Sequence, residues 1–149
     1  MTTQLLKLSV FLSAALCASM ALANSPVGQW HTLDDKTGEV KSVVLIFEQQ
    51  GVVRGRVEKV LRKDADPAAK CDKCSDDRKN LPILGLEIIR GAKKAAGKNV
   101  WEDGEILDPE NGKTYSSKLT IDESGKKLEL RGFIGVSLIG RSQTWVRAD

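Results

Sequence analysis

The chain has 149 residues, 29% of them charged and only 5% aromatic, with a formal net charge of +3. That charge is too balanced for a nucleic-acid or anionic-membrane specialist, and the length fits one domain with a mostly aliphatic core. Residues 1–23 hold only one Lys or Arg, Lys7, and no acid, so without them the side-chain net charge is +2.

From the N-terminus, Lys7 precedes an apolar stretch over 8–22, and Ala21-Leu22-Ala23 offers a small-x-small cleavage site. This layout predicts a secretory signal peptide over 1–23, cut after Ala23 and leaving a single domain over 24–149. The apolar stretch is shorter than the roughly 20 residues a membrane-spanning helix needs, so no transmembrane anchor is expected. Leu16 stands before Cys17 where a lipoprotein leader wants a small residue, which sets a lipid anchor aside. The expected destination is the periplasm, with full secretion as the alternative.

Beyond the leader, strand-length runs of Val, Ile, Leu, Tyr and Trp fall at 27–33, 40–49, 52–61, 83–90, 100–107, 114–122, 128–134 and 136–147. Turn clusters rich in Asp, Asn, Gly and Pro separate them, notably 34–38, 50–51, 108–113 and 122–127. Helical periodicity is weak, with 66–70 and 92–96 as candidates for a single turn. Arg90, Lys93, Lys94 and Lys98 cluster without interleaved aromatics and are expected in a solvated loop.

Alternation in 114–122 puts Tyr115, Ser117, Leu119 and Ile121 on one face and polar groups on the other, the pattern of a half-buried strand. The last run is unusual because Arg141, Gln143, Trp145 and Arg147 share a face that mixes aromatic and cationic groups. Consecutive hairpins need no parallel crossover. Gly55, Gly132, Gly135 and Gly140 lie within or between strands, where sharp coiling is expected. The expected fold is therefore all-β, a small antiparallel up-and-down barrel of about eight strands, since closure removes exposed edges.

Cys71 and Cys74 are the only cysteines after residue 23, and in an oxidising compartment a disulfide between them is the default. It would order the polar segment over 63–81. A dithiol redox site is the alternative, though such sites place the reactive thiolate at a helix N-terminus and this loop offers none. Zinc needs more ligands than His31 and scattered carboxylates supply, and Ser75 stands where a c-type haem motif requires His. His31 is the sole histidine, so no catalytic residues are assigned and an enzyme is not the favoured reading. The acids from Glu102 to Glu110 are dense, yet Asp108-Pro109-Glu110-Asn111-Gly112 has a complete role as a turn. No metal or cofactor is expected.

Gly28-Gln29-Trp30 resembles the Gly-x-Trp that opens the first strand of lipocalins and fatty-acid-binding proteins. That resemblance implies a basic residue of the last strand lying across the indole. Arg147 or Arg141 is the candidate, with Trp30 and Arg147 as the expected barrel latch. A wider resemblance rests on Gly28-x-Trp30, Cys71-x-x-Cys74, Pro82-Ile83-Leu84-Gly85, Gly104-x-Ile-Leu-Asp-Pro109, Gly112-Lys-Thr-Tyr115, Arg131-Gly132, Gly140-Arg141 and Trp145-x-Arg147. In that order they are similar to the bacterial domain-of-unknown-function family 2147. It implies a small exported lipocalin-like β-barrel and brings no established reaction or ligand.

A barrel of this size holds either side chains or one small ligand. If their faces point inward, Trp30, Tyr115, Arg131, Arg141 and Trp145 form an aromatic and cationic lining suited to a hydrophobic or amphipathic anionic, lipid-like ligand. The alternative is an envelope structural or interaction protein with a filled barrel and a disulfide-stapled docking loop. The sequence names no protein partner.

Overall fold

The computed structural model of the protein describes residues 24–97 and 99–148. The expected leader over 1–23 lies outside the described residues, as does Lys98. Eight strands follow one another: β1 (Gly28–Leu33), β2 (Val40–Gln49), β3 (Val52–Val60), β4 (Glu87–Lys94), β5 (Val100–Asp108), β6 (Lys113–Ile121), β7 (Lys127–Phe133) and β8 (Gly140–Arg147). Each pairs antiparallel with the next, and β8 returns to β1 to close the barrel, the up-and-down topology expected from the sequence. The described residues contain no helix, so 66–70 and 92–96 are not helical turns.

The seam between β8 and β1 is short, with only Trp30↔Arg147 and His31↔Val146 in register. Every other pairing is longer, and register shifts in β1–β2, β2–β3, β3–β4 and β5–β6 supply the local bends that coil a sheet into a closed wall.

Two boundaries differ from the sequence reading. The fourth strand starts at Glu87 rather than at residue 83, because 83–86 form a turn in which the amides of Ile83 and Gly85 donate to Ala69 O and Val57 O. It then runs through Lys93 and Lys94, expected in a loop, both of them exposed at the end of the strand. Lys93 lies opposite Glu102, and Lys94 stacks over Trp101 at 4.8 Å. The eighth strand starts at Gly140 rather than at residue 136, leaving 134–139 as a loop.

The barrel interior has two storeys. Trp30, Val44, Ile46, Ile89, Leu119 and Leu128, all fully buried, fill the lower one. The short turns at 50–51, 95–99 and 122–126 lie at this end. In the turn after β6, Asp122 Oδ1 accepts the amides of Lys126 and Lys127 at 3.0 and 2.9 Å, which is why Asp and Gly were needed there. The upper storey opens between the other four connections, 34–39, 61–86, 109–112 and 134–139.

The longest of these, 61–86, is a structured flap. Lys70 and Pro82 form an antiparallel bridge, Cys71 and Cys74 are joined by a disulfide, and both cysteines are buried. Arg78, only 1% exposed, is the flap's anchor. Its guanidinium donates to the Asp76 carboxylate, to Glu87 O at 3.0 Å and to Thr114 Oγ1 at 3.2 Å. These bonds hold Asp76 well below the usual carboxylate range, at about 2. Arg90 ties the flap a second time through the Asp77 carboxylate at 2.9 Å.

Candidate functional site

A cavity of about 1500 Å³, including its mouth, occupies the upper storey. Its apolar wall comes from Val57, Ile88, Ile106, Leu130 and Trp145, on five different strands. They adjoin the packed core: Leu130 is the next inward position above Leu128 on β7, Val57 lies opposite Val44, and Trp145 lies opposite Leu128. Thr32 and Ser42, paired across β1 and β2, meet through their hydroxyls at 2.7 Å and add one polar pair to the same wall.

A polar ladder climbs from the wall to the mouth along β8. Trp145 Nε1 points at Gln143 Oε1 at 3.4 Å, a long contact, and Gln143 Nε2 donates to Asp35 Oδ2 at 3.3 Å. The same carboxylate is paired with the Arg141 guanidinium. Across the mouth, Glu110 accepts from Lys41 Nζ at 2.8 Å and Arg62 at 3.1 Å. The Lys41 hydrogen bond is the main reason the Glu110 carboxyl lies below its usual range, working against burial. Tyr115 completes this side, its hydroxyl accepting from Asn111 Nδ2 at 3.0 Å. The turn beneath is built as its sequence indicates, with Asp108 accepting the Glu110 amide and Gly112 at a φ of 74°. The cavity is thus apolar below and ionic above.

Of the five residues expected to line a pocket, Tyr115, Arg141 and Trp145 lie on the cavity wall. Trp30 belongs to the packed lower storey. Its indole N–H donates to Pro26 O at 2.8 Å and its ring lies 4.3 Å from the Arg147 guanidinium. Arg147 also donates to Ser25 O, Val27 O and Gly125 O at 2.8, 3.0 and 2.7 Å, tying the start of the barrel to its last strand. Close approach of this guanidinium explains Gly28, where a Cβ would sit 2.7 Å from Arg147 Nη1 and φ is 134°. Of the two basic candidates for the Trp30 contact, Arg147 occupies it and Arg141 stands at the mouth.

Arg131 also departs from the expected lining. It sits on β7 between Leu130 and Gly132, whose positions face the cavity, so its side chain points away from it. Its guanidinium donates to Ser137 O, to Leu138 O at 3.2 Å and to Ser142 Oγ at 3.0 Å. The sequence reading missed Val57, Ile88, Ile106, Leu130 and the hydroxyl pair Thr32–Ser42. Inward parity along each run was the available signal, but choosing cavity rather than packed core among inward residues requires the register of all eight strands.

The described residues contain no group of three or more His, Cys, Asp or Glu able to hold a metal ion. No described helix is long and apolar enough to cross a membrane. The cavity combines a hydrophobic wall and one indole with charged groups at its mouth.

Residues 28–147 match the family described as "Uncharacterized protein conserved in bacteria (DUF2147)". A similar fold is found in a solved structure described as "Protein HP1028 from the human pathogen Helicobacter pylori belongs to the lipocalin family". The two share 20% sequence identity over 84% of each chain, with a TM-score of 0.71, a likeness of fold. No curated protein matches the sequence.

Proposed function

Since this chain belongs to the bacterial domain-of-unknown-function family 2147, we propose that it is an exported carrier or sensor that binds one small amphipathic, lipid-like molecule in the barrel mouth. The observation that carries this reading is the two-storey interior. A barrel serving only as a scaffold gains stability from filling its core, whereas here a cavity of about 1500 Å³, open at its mouth, lies above the packed residues. Ordinary ligand pockets run to roughly 300–1,000 Å³, so the cup has room for a long apolar body.

The apolar portion of the ligand rests against Ile106, Leu130 and the Trp145 indole, and its polar head lies at the mouth near Arg141, Gln143 and Tyr115. An anionic head draws Arg141 away from Asp35, exchanging one ion pair for another. Affinity therefore comes chiefly from apolar burial, with the head setting orientation. Export through the 1–23 leader to the periplasm is part of the proposal, and the Cys71–Cys74 disulfide supports an oxidising compartment.

Titration with the fluorescent fatty acid cis-parinarate tests the reading. Saturable binding to the native chain is expected, weakened about tenfold by Trp145→Ala, the equivalent of ~1.4 kcal/mol. Leu130→Trp, which puts a bulky ring on the wall where the apolar body would rest, should weaken it as well. Equal binding by all three proteins places the fatty acid outside the cavity and refutes the proposal.

A further inference from the structure

Glu110 gathers three cations, from β2, from the start of the flap and from the disulfide loop. Its Oε1 accepts from Lys41 Nζ at 2.8 Å and from Arg62 Nη1 at 3.1 Å, and its main-chain O accepts from Lys73 Nζ at 2.9 Å. All four residues border the cavity. Acceptors are short at this corner. Lys41 and Arg62 share one carboxylate oxygen, and among the described residues Lys73 makes no ion pair with a carboxylate. The neighbouring acids are committed elsewhere or stand farther off. Asp64 reaches Arg62 at 3.4 Å, and Asp34 Oδ1 accepts the Lys36 and Thr37 amides of its own turn at 2.9 Å. Charge balances over the mouth as a whole, but here three cations converge on a single carboxylate.

The backbone holds the cations in place and leaves that carboxylate loose. The Leu61 amide donates to Lys41 O at 2.9 Å, which sets Arg62 beside Lys41. The Cys71–Cys74 disulfide and the packing of Gly112 on Lys73 O fix the base of Lys73, while Asp108 Oδ1 accepts the Glu110 amide at 2.9 Å. The Glu110 side chain itself is 60% exposed, and ion pairs that open to water are weak. An anion of higher charge can therefore displace it by a side-chain rotation alone.

The donors indicate which anion. A carboxylate brings one charge and two oxygens. A phosphate monoester brings about two charges and three terminal oxygens, enough for each of the three cations to have its own acceptor. Arg and Lys both suit such a group, the one through its planar fork and the other as a compact charge.

We propose that Lys41, Arg62 and Lys73 form a phosphate subsite at the mouth, so that the cup takes a single-chain lipid with a phosphate monoester head whose phosphate replaces the Glu110 carboxylate. This rests on the reading of the cup as a lipid site and names its head. Glu110 is then a stand-in for the ligand, paired with the cations while the cup is empty. A fatty acid, with one charge, is met by Arg141 and leaves Glu110 where it is.

Calorimetric titration with 1-oleoyl-lysophosphatidate and with oleate, both below their micelle concentrations, tests this. The ratio of the two affinities is read within each protein, so small changes in stability cancel. Native protein should prefer the phosphate lipid about tenfold. In a K41A/R62A variant, shown to be folded by circular dichroism, the ratio should fall close to one. In E110Q, which removes the competing carboxylate, it should rise severalfold. Added salt should lower it in native protein. Native protein that binds both lipids equally, or a K41A/R62A variant that keeps the preference, overturns the phosphate subsite and leaves the cup reading standing. So does weaker lysophosphatidate binding by E110Q, because Glu110 would then organise the cations rather than occupy their site. Glycerol 3-phosphate binding as tightly as the lipid makes this a site for free phosphate esters and overturns the lipid assignment. Native protein that binds neither lipid nor cis-parinarate overturns the subsite and the cup reading together.

Discussion

Replacing Arg147 by Met should cost the barrel about 3 kcal/mol, because the substitution removes the cation that holds the weakest seam and leaves the stem in place. The seam has only two residue pairs in register, so the side-chain contacts are a large share of what joins β8 to β1. Three charge-assisted hydrogen bonds, to Ser25 O, Val27 O and Gly125 O, are lost. Each is worth ~1.5–3 kcal/mol where no other partner replaces it. The stacking on Trp30 at 4.3 Å adds ~0.5–2 kcal/mol. Two effects reduce the sum. Water can reach carbonyls at this end of the barrel, and burial already works against the charged guanidinium, lowering the Arg147 pKa from its usual value. The balance is about 3 kcal/mol, or a fall of roughly 10 °C in Tm for a chain of this size. Urea unfolding followed by tryptophan fluorescence measures it, with an unchanged m-value confirming that stability itself has moved. Arg147→Lys should fall between the two, since one ammonium cannot serve three carbonyls and the ring together. A loss below ~1 kcal/mol for Arg147→Met, or no coupling to Trp30→Phe in a double-mutant cycle, refutes the latch as a structural element.

Three further perturbations bear on the flap and its anchors. Asp76 has a folded pKa of about 2 against an ordinary 3.8, so its contribution is present above pH ~4 and is lost as pH falls toward ~2. Asp76→Asn should flatten acid unfolding in that window, and an unchanged profile would show that the Arg78 contact contributes nothing. Burial pushes Glu87 up, yet hydrogen bonds from Arg54 and Arg90 outweigh it and hold the carboxyl below its usual value, giving the same sign. Gly112→Ala drives a Cβ into Lys73 O at a φ of 74°, so the disulfide loop must shift. Limited proteolysis should then cut within 61–86 faster than in native protein, and equal rates would contradict the close packing there. Cys71→Ser should destabilise by about 2 kcal/mol on the chain-entropy model for so short a loop, read as a lower urea midpoint.

The sequence made the barrel legible because alternation and turn chemistry are local signals. Asp108 to Gly112 and Asp122 to Lys127 specify turns through their own side chains, and the hairpins follow. Where apolar residues had two uses, the reading failed. Ile83 and Leu84 have strand-like composition but belong to the flap, where the Ile83 amide bonds to Ala69 O and Gly85 has a φ of 85°. Val136 to Ile139 carry the same composition and stand in water, since nothing in a local pattern records whether a neighbour covers it. Arg131 was misplaced for a different reason. Its parity on β7 is fixed only through pairing with Lys118 and Ser142, two strands that the sequence does not align by itself. Trp145 and Arg141 were legible because the mixed face of the last strand could only be a seam or a lining, and register made it both: Arg147 at the seam, Arg141 and Trp145 at the cup.

Native mass spectrometry of the protein recovered from its native host tests the proposed ligand binding most directly. The account predicts a population carrying one additional small mass of lipid-like composition, lost in Trp145→Ala while the fold is retained. A single mass equal to the bare chain, in native protein that also fails to take up cis-parinarate, contradicts it.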